Sequence, residues 1–275
     1  MNPKPPTQQA RAIRIEDPGD PRIAAYRDIR ERDLVGREGR FVAEGKVVLA
    51  ALFSGHRFEA ESVLVAENRL EGLGGTLSAA HGDLPVYVAA AAVMDAIAGF
   101  PIHRGILAIG RRRAPETADE LLGTLPRRAT LVVLVGLANH DNVGAVFRNA
   151  AAFGADAVLL DETSCDPLYR KAIRVSVGAA LKVPFARGGN AARLVEAVQR
   201  HGFETIALSP SGREDIRSIV RGERIALVLG TEGTGLPAAL LSRLRSVRIA
   251  MAPGFDSLNV AAASAIALHE LCRAG

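Results

Sequence analysis

The 275-residue chain contains no tryptophan, three tyrosines and two cysteines, and none of its apolar runs reaches the length of roughly 20 residues that spans a bilayer. With so few large aromatic rings it has no broad platform for stacking unpaired bases. Cys165 and Cys272 lie far apart, without the density of a disulfide scaffold or the paired spacing of a zinc site, so both read as free thiols and no metal is expected. The opening MNPKPPTQQARAIRIEDPGD carries proline and charge but no signal-peptide core, which points to the cytoplasm and away from a membrane.

What is present describes a folded protein. Hydrophobic residues make up 48% and charged residues 23% of the chain, a globular balance, and the length suits two domains. The net charge of +4 is unevenly placed: 16 basic side chains face 17 acidic ones up to Pro126, and 18 face 13 beyond it. Nearly all the basic residues are arginine, whose planar fork grips phosphate and stacks on bases, so a polyanionic partner suits the second half.

After a Pro-rich tip over residues 1–20, IAAYRDIRERDLVG reads as an amphipathic helix and EGKVVLAALFSG as a second helix ended by Gly55. The strand-like runs SVLVA, PVYVA and GILAIG, with AAAVMDAIAG before the last, give a small α/β unit over 21–110. Residues 111–127 mix charge, Pro and Gly and read as a linker, with Arg111, Arg112 and Arg113 either a solvated face or a phosphate contact. From 128 to 275 the runs TLVVLVGL, DAVLL, FETIAL and RIALVLG alternate with helical stretches, the pattern of a parallel sheet covered on both faces.

Ligands of such sheets bind at the carboxyl ends of the strands, and three loops there hold the unusual residues. In the first, Asn142 is placed to cap a helix, with Arg148 projecting from its second turn out of an otherwise Ala-rich surface. The second, LVLGTEGTGLP, packs Gly230, Gly233 and Gly235 around Glu232; it lacks the Lys-Ser or Lys-Thr of a phosphate-cradling loop and the spacing of a dinucleotide fingerprint. The third, IAMAPGFDSLNVAAASAIALHEL, turns through Pro253 and Gly254 into a helix with Ser257 and Asn259 at its mouth.

In this order NVGAVFRNA, LGTEGTGL and IAMAPGFDSLNVAAA resemble the three motifs of the SpoU/TrmH-type RNA ribose methyltransferases of the SPOUT superfamily, over roughly residues 128–275. The resemblance implies a parallel sheet with a C-terminal trefoil knot, an exception to the rule against knotted chains, and a homodimer. It implies S-adenosyl-L-methionine as cofactor, held near Gly230, Gly235, Ile249, Met251, Leu258 and Asn259. GREGRFVAEGKVVLAAL is similar to the small substrate-binding domain of many such enzymes, which favours ribosomal over transfer RNA. Asn139, His140, Ala250, Pro253 and Ala261 depart from the usual pattern.

The implied reaction is methyl transfer to a ribose 2′-hydroxyl, with Arg148 at its centre and Asn142, Glu232, Ser257 and Asn259 around it. Guanidinium keeps its proton above a pH of about 12, so Arg148 is either deprotonated transiently or acts as a charged phosphate clamp. Arg174 and Ser176 fall where the family often places residues near the RNA, against a structural reading as a helix end. His140, although imidazole is the usual base near neutral pH, reads as a structural or RNA-contacting residue. The competing functions are a transfer-RNA methyltransferase, a non-catalytic RNA-binding protein of the same fold, and a nucleotide-dependent enzyme using the Gly230 loop.

Overall fold

The computed structural model describes residues 12–27, 35, 39–80, 83–99, 104–113, 115–254 and 257–272. They form two compact units, one made of Met1–Arg113 with Leu168–Leu181 and the other of Ala114–Pro167 with Lys182–Gly275.

The first unit is built on β1 (Ala12–Ile15), β2 (Arg40–Glu44), α1 (Lys46–Ser54), β3 (Phe58–Ala66), β4 (Val86–Ala89), α2 (Ala91–Ala98) and β5 (Ile106–Arg112). Its sheet runs β1-β4-β3-β5-β2, with β1 and β3 parallel to β4 and with β5 antiparallel to both β3 and β2. The core holds Ile15, Leu64, Tyr87, Met94, Ile97, Leu107 and Ile109, as the apolar runs SVLVA, PVYVA and GILAIG require.

The expected N-terminal tip is in part structured, since AIRI forms β1 against β4 and residues 1–11 lie outside the described set. Of the expected helix beginning at Ile23, the described residues show the turn Pro21–Tyr26, capped by Asp20, and Val35 in a helical conformation; residues 28–34 and 36–38 lie outside the described set.

Segment 168–181 packs into this unit through a buried ion pair. Glu44, at the end of β2 and 6% exposed, accepts from Arg170 Nη2 at 2.9 Å and from its Nε at 3.1 Å. A carboxylate this deep is tolerated because the guanidinium offsets its desolvation. Arg170→Met is therefore expected to destabilise the unit by about 3 kcal/mol in urea unfolding, more than the double variant with Glu44→Met, which strands no charge.

The second unit carries α3 (Ala118–Thr124), β6 (Ala129–Leu134), α4 (His140–Phe153), β7 (Ala157–Leu160), β8 (Phe185–Arg187), α5 (Ala191–Arg200), β9 (Glu204–Leu208), β10 (Glu214–Asp215), β11 (Arg224–Leu229), β12 (Arg245–Arg248) and α6 (Val260–Leu271). Its sheet runs β10-β12-β9-β11-β6-β7-β8 and every pairing is parallel, as the alternating pattern predicts. On one face α3 and α5 bury Leu121, Leu122, Leu194 and Val198 against Leu131, Val133 and Val228. The alternate strand residues Val132 and Leu134, equally buried, face the other way. The α4–α6 pair lies against β7 and β11.

The stretch read as a linker contains α3. Thr117 caps it through the N–H of Glu120, whose carboxylate answers at the Thr117 N–H, and its leucines enter the core.

Candidate active site

Every feature of the site lies at the carboxyl ends of the strands in the second unit. Following β6, Gly136 adopts φ +71° and a Cβ there would stand 2.7 Å from the Thr231 methyl, so the first and second loops touch at a point where only glycine fits. Asn139, not Asn142, caps α4 by accepting from the Asp141 N–H at 2.8 Å. Asn142 is instead buried in the first turn, and Arg148 projects from the third turn rather than the second.

After β11 the chain folds back on itself, Thr231 and Gly235 exchanging backbone hydrogen bonds. A Cβ on Gly230 would lie 2.4 Å from the Gly235 carbonyl carbon and the Leu236 nitrogen, so this glycine is fixed by the loop's own backbone and not only by a ligand. Gly233 and Gly235 both take left-handed φ values, +89° and +69°.

The third loop closes the arrangement through one amide. Asn259 caps α6, its Oδ1 accepting from the N–H groups of Ala261 at 2.9 Å and Ala262 at 3.4 Å. That orientation commits its Nδ2 to donate, and it donates to Asn142 Oδ1 at 3.0 Å and to Glu232 Oε1 at 2.6 Å. Asn259 thereby joins the three loops. Next to Arg148 in sequence, Asn149 Nδ2 donates to the Ala261 carbonyl at 2.7 Å and to Ser264 Oγ at 2.9 Å, locking α4 to α6.

The second and third loops, with the loop after β9, line a pocket of about 330 Å³. The sequence-predicted residues Gly230, Gly235, Ile249, Met251, Leu258 and Asn259 all line it, as do Glu232 and Ser257. Asn142 reaches it only through Asn259. Leu208, Ser209 and Pro210, which sequence reasoning missed, form a further wall. Arg248 steadies their loop: its Nη1 donates to the carbonyls of Gly212 at 2.8 Å and Arg213 at 3.0 Å. The signal available in the sequence was that FETIAL ends a parallel strand.

The family profile described as the SpoU rRNA Methylase family matches residues 129–269, the span that contains all three loops. The chain belongs to this family. It is 39% identical over 270 residues to an uncharacterized tRNA/rRNA methyltransferase of Mycobacterium bovis, covering 94% of this chain and 91% of the relative. It is 30% identical over 190 residues to the 23S rRNA (guanosine-2′-O-)-methyltransferase RlmB of Bordetella pertussis, covering 68% of this chain and 78% of that one. The fold is similar to the AdoMet-bound rRNA methyltransferase of Sinorhizobium meliloti, with a TM-score of 0.78 and 26% identity over 95% of this chain and 98% of that chain.

The remaining expected residues of this SpoU-family RNA methyltransferase fall as follows. Arg148 is exposed and makes no hydrogen bond or ion pair with a described residue, and Asn142 spends its carbonyl on Asn259 rather than on Arg148. His140 is half-buried at the start of α4. Arg174 is exposed, whereas Ser176 is buried, donating to the Ile173 carbonyl at 2.9 Å and accepting from the Ala180 N–H at 3.2 Å. Both belong to the segment grouped with the first unit. Among the described residues no cluster of His, Cys, Asp and Glu could hold a metal ion. Both thiols are free, and burial pushes that of Cys165 up to about 12, which keeps it protonated and unreactive near neutral pH.

Because Gly230 has no room for a side chain, Gly230→Ala is expected to force the second loop open. Calorimetry should show at least a tenfold weaker grip on an adenosine ligand, while far-ultraviolet circular dichroism stays native.

Proposed function

We propose that this protein is an S-adenosyl-L-methionine-dependent methyltransferase acting on a ribose 2′-hydroxyl of ribosomal RNA. The observation that carries this reading is the joining of the three family loops at Asn259, beside a pocket lined by the second and third of them. The pocket's lining fits a nucleoside joined to an amino acid: backbone of the loops after β9, β11 and β12, the apolar side chains of Leu208, Ile249, Met251 and Leu258, hydroxyls from Ser209, Thr231 and Ser257, and one carboxylate. When bound, the cofactor supplies an electrophilic methyl group on a sulfonium.

The chain's own work is to bind, orient and hold charge. Asn259 fixes Glu232 and the third loop; Arg148, solvent-facing and uncommitted, grips the phosphate beside the target ribose and stabilises negative charge growing on its oxygen as the proton passes to solvent water. Positioning of the hydroxyl in line with the methyl carbon supplies the rest. Arg174 stands free to meet RNA, whereas Ser176 serves its own turn. Residues 21–110 select the substrate, residues 128–275 form the knotted catalytic domain, and the protein works as a homodimer. The outer face of α6, where Ala262 and Ile266 are exposed one turn apart, suits a second copy.

The decisive experiment offers labelled S-adenosyl-L-methionine with ribosomal and transfer RNA and maps alkali-resistant positions. A single 2′-O-methylated nucleotide in ribosomal RNA is the expected result. Label confined to transfer RNA changes the substrate, and label on a base overturns the ribose. A folded protein that fails to bind the cofactor is an RNA-binding relative without activity.

A further inference from the structure

Among the described residues lining the pocket, Glu232 is the one ionisable side chain, and no lysine or arginine accompanies it. One of its carboxylate oxygens is pinned by Asn259 Nδ2 at 2.6 Å, which holds the negative charge at a fixed place beside the pocket and leaves the other oxygen available. The two small molecules that must use this pocket in each cycle differ in charge. S-adenosyl-L-methionine carries a sulfonium cation, and its demethylated product, S-adenosylhomocysteine, carries a neutral thioether. The ammonium and carboxylate of the amino-acid end are common to both and cancel when the two are compared.

On this footing, which rests on the cofactor reading above, we infer that Glu232 is a specificity-determining residue through which the pocket prefers the charged cofactor to its product. The carboxylate attracts the sulfonium, loses that attraction when the methyl group departs, and so favours release of product over release of cofactor. A sulfonium bound several ångströms from this carboxylate, beside solvent, would gain a preference of roughly tenfold from one fixed charge. The effect weakens with salt, since the carboxylate is exposed. In the Glu232→Gln variant the side chain can still meet Asn259, but the charge is gone.

Titration calorimetry on the full chain tests this with three probes: S-adenosyl-L-methionine, S-adenosylhomocysteine, and sinefungin, in which an amino-bearing carbon replaces the methylated sulfur and restores the cation. The expected result is that the two cationic ligands bind wild type about tenfold tighter than the neutral one. In Glu232→Gln the three affinities should converge within about twofold, the neutral ligand changing least. A wild type that binds S-adenosylhomocysteine as tightly as both cationic ligands overturns the inference without a variant. An undiminished preference in Glu232→Gln overturns it too, as does equal weakening of all three ligands. Failure of wild type to bind any of the three sinks the cofactor reading itself, a distinguishable outcome.

Discussion

Arg148→Lys is expected to lower the rate of methyl transfer at saturating cofactor by about a hundredfold or more, the scale of losing a charge-stabilising donor in a transition state. Lysine keeps the positive charge but presents it as a point on a flexible stem, so the two-pronged grip on a phosphate and the directed stabilisation of the ribose oxygen are both lost. Stability should hardly move. Arg148 is solvent-exposed and has no hydrogen bond or ion pair to a described residue, so its replacement removes nothing that holds α4 in place. Surface changes of that kind fall within about 0.5 kcal/mol. The cofactor affinity should also stay within twofold, because Arg148 does not line the pocket.

A phosphate clamp and a transient base differ in their response to pH. A clamp leaves Arg148→Lys with the wild-type profile at lower amplitude. A base moves the rising limb of the profile, since lysine loses its proton far more readily than arginine. Single-turnover rates from pH 6 to 10 separate the two, and a profile displaced toward lower pH would remove the clamp from the mechanism.

How much of this was readable in the sequence follows from whether the signal was local. The parallel sheet was legible because its strands are mostly apolar runs alternating with helical stretches, as in TLVVLVGL before α4. Edge strands were harder. AIRI is four residues long between Pro-rich and acidic neighbours, and it becomes β1 because β4, more than 70 residues on, offers it a hydrogen-bonding edge. The helix α3 was legible in principle, since Thr117 and Glu120 form a capping box, but Pro115 and Gly123 hid it in what read as a linker.

The site shows the same division. The three loops could be named from their residues, yet their joining depends on side chains 117 and 27 positions apart meeting at one amide. Asn139 and Asn142 are equally good caps by type; only the partner at Asn259 decides that Asn142 turns inward and leaves the cap to Asn139. Leu208, Ser209 and Pro210 reach the pocket because β9 pairs with both β11 and β12, an order that no local pattern encodes.

That joint at Asn259 can be dissected, because its two roles use different atoms. In Asn259→Asp the new carboxylate still accepts from the Ala261 and Ala262 N–H groups, and a negative charge at a helix N-terminus is favourable, so the thermal midpoint should stay near wild type. Asn259→Ala, by contrast, loses the cap and about 1 kcal/mol. What aspartate cannot do is donate. It sets an acceptor against Asn142 Oδ1 and a second carboxylate against Glu232. Asn142 can answer by rotating its amide to offer the nitrogen, but Glu232 has no hydrogen to give, and the two carboxylates part. The loop carrying Glu232 then leaves the third loop. S-adenosylhomocysteine affinity is expected to fall about tenfold, the equivalent of one lost interaction of about 1.4 kcal/mol, and methyl transfer to fall further because the ribose is no longer positioned. Adding Glu232→Gln supplies the missing donor, since its amide can bond the aspartate. The double variant should therefore regain affinity for S-adenosylhomocysteine relative to Asn259→Asp alone. A double variant no better than the single one would mean that Asn259 serves α6 as a cap and that the bridge to Glu232 does not shape the pocket.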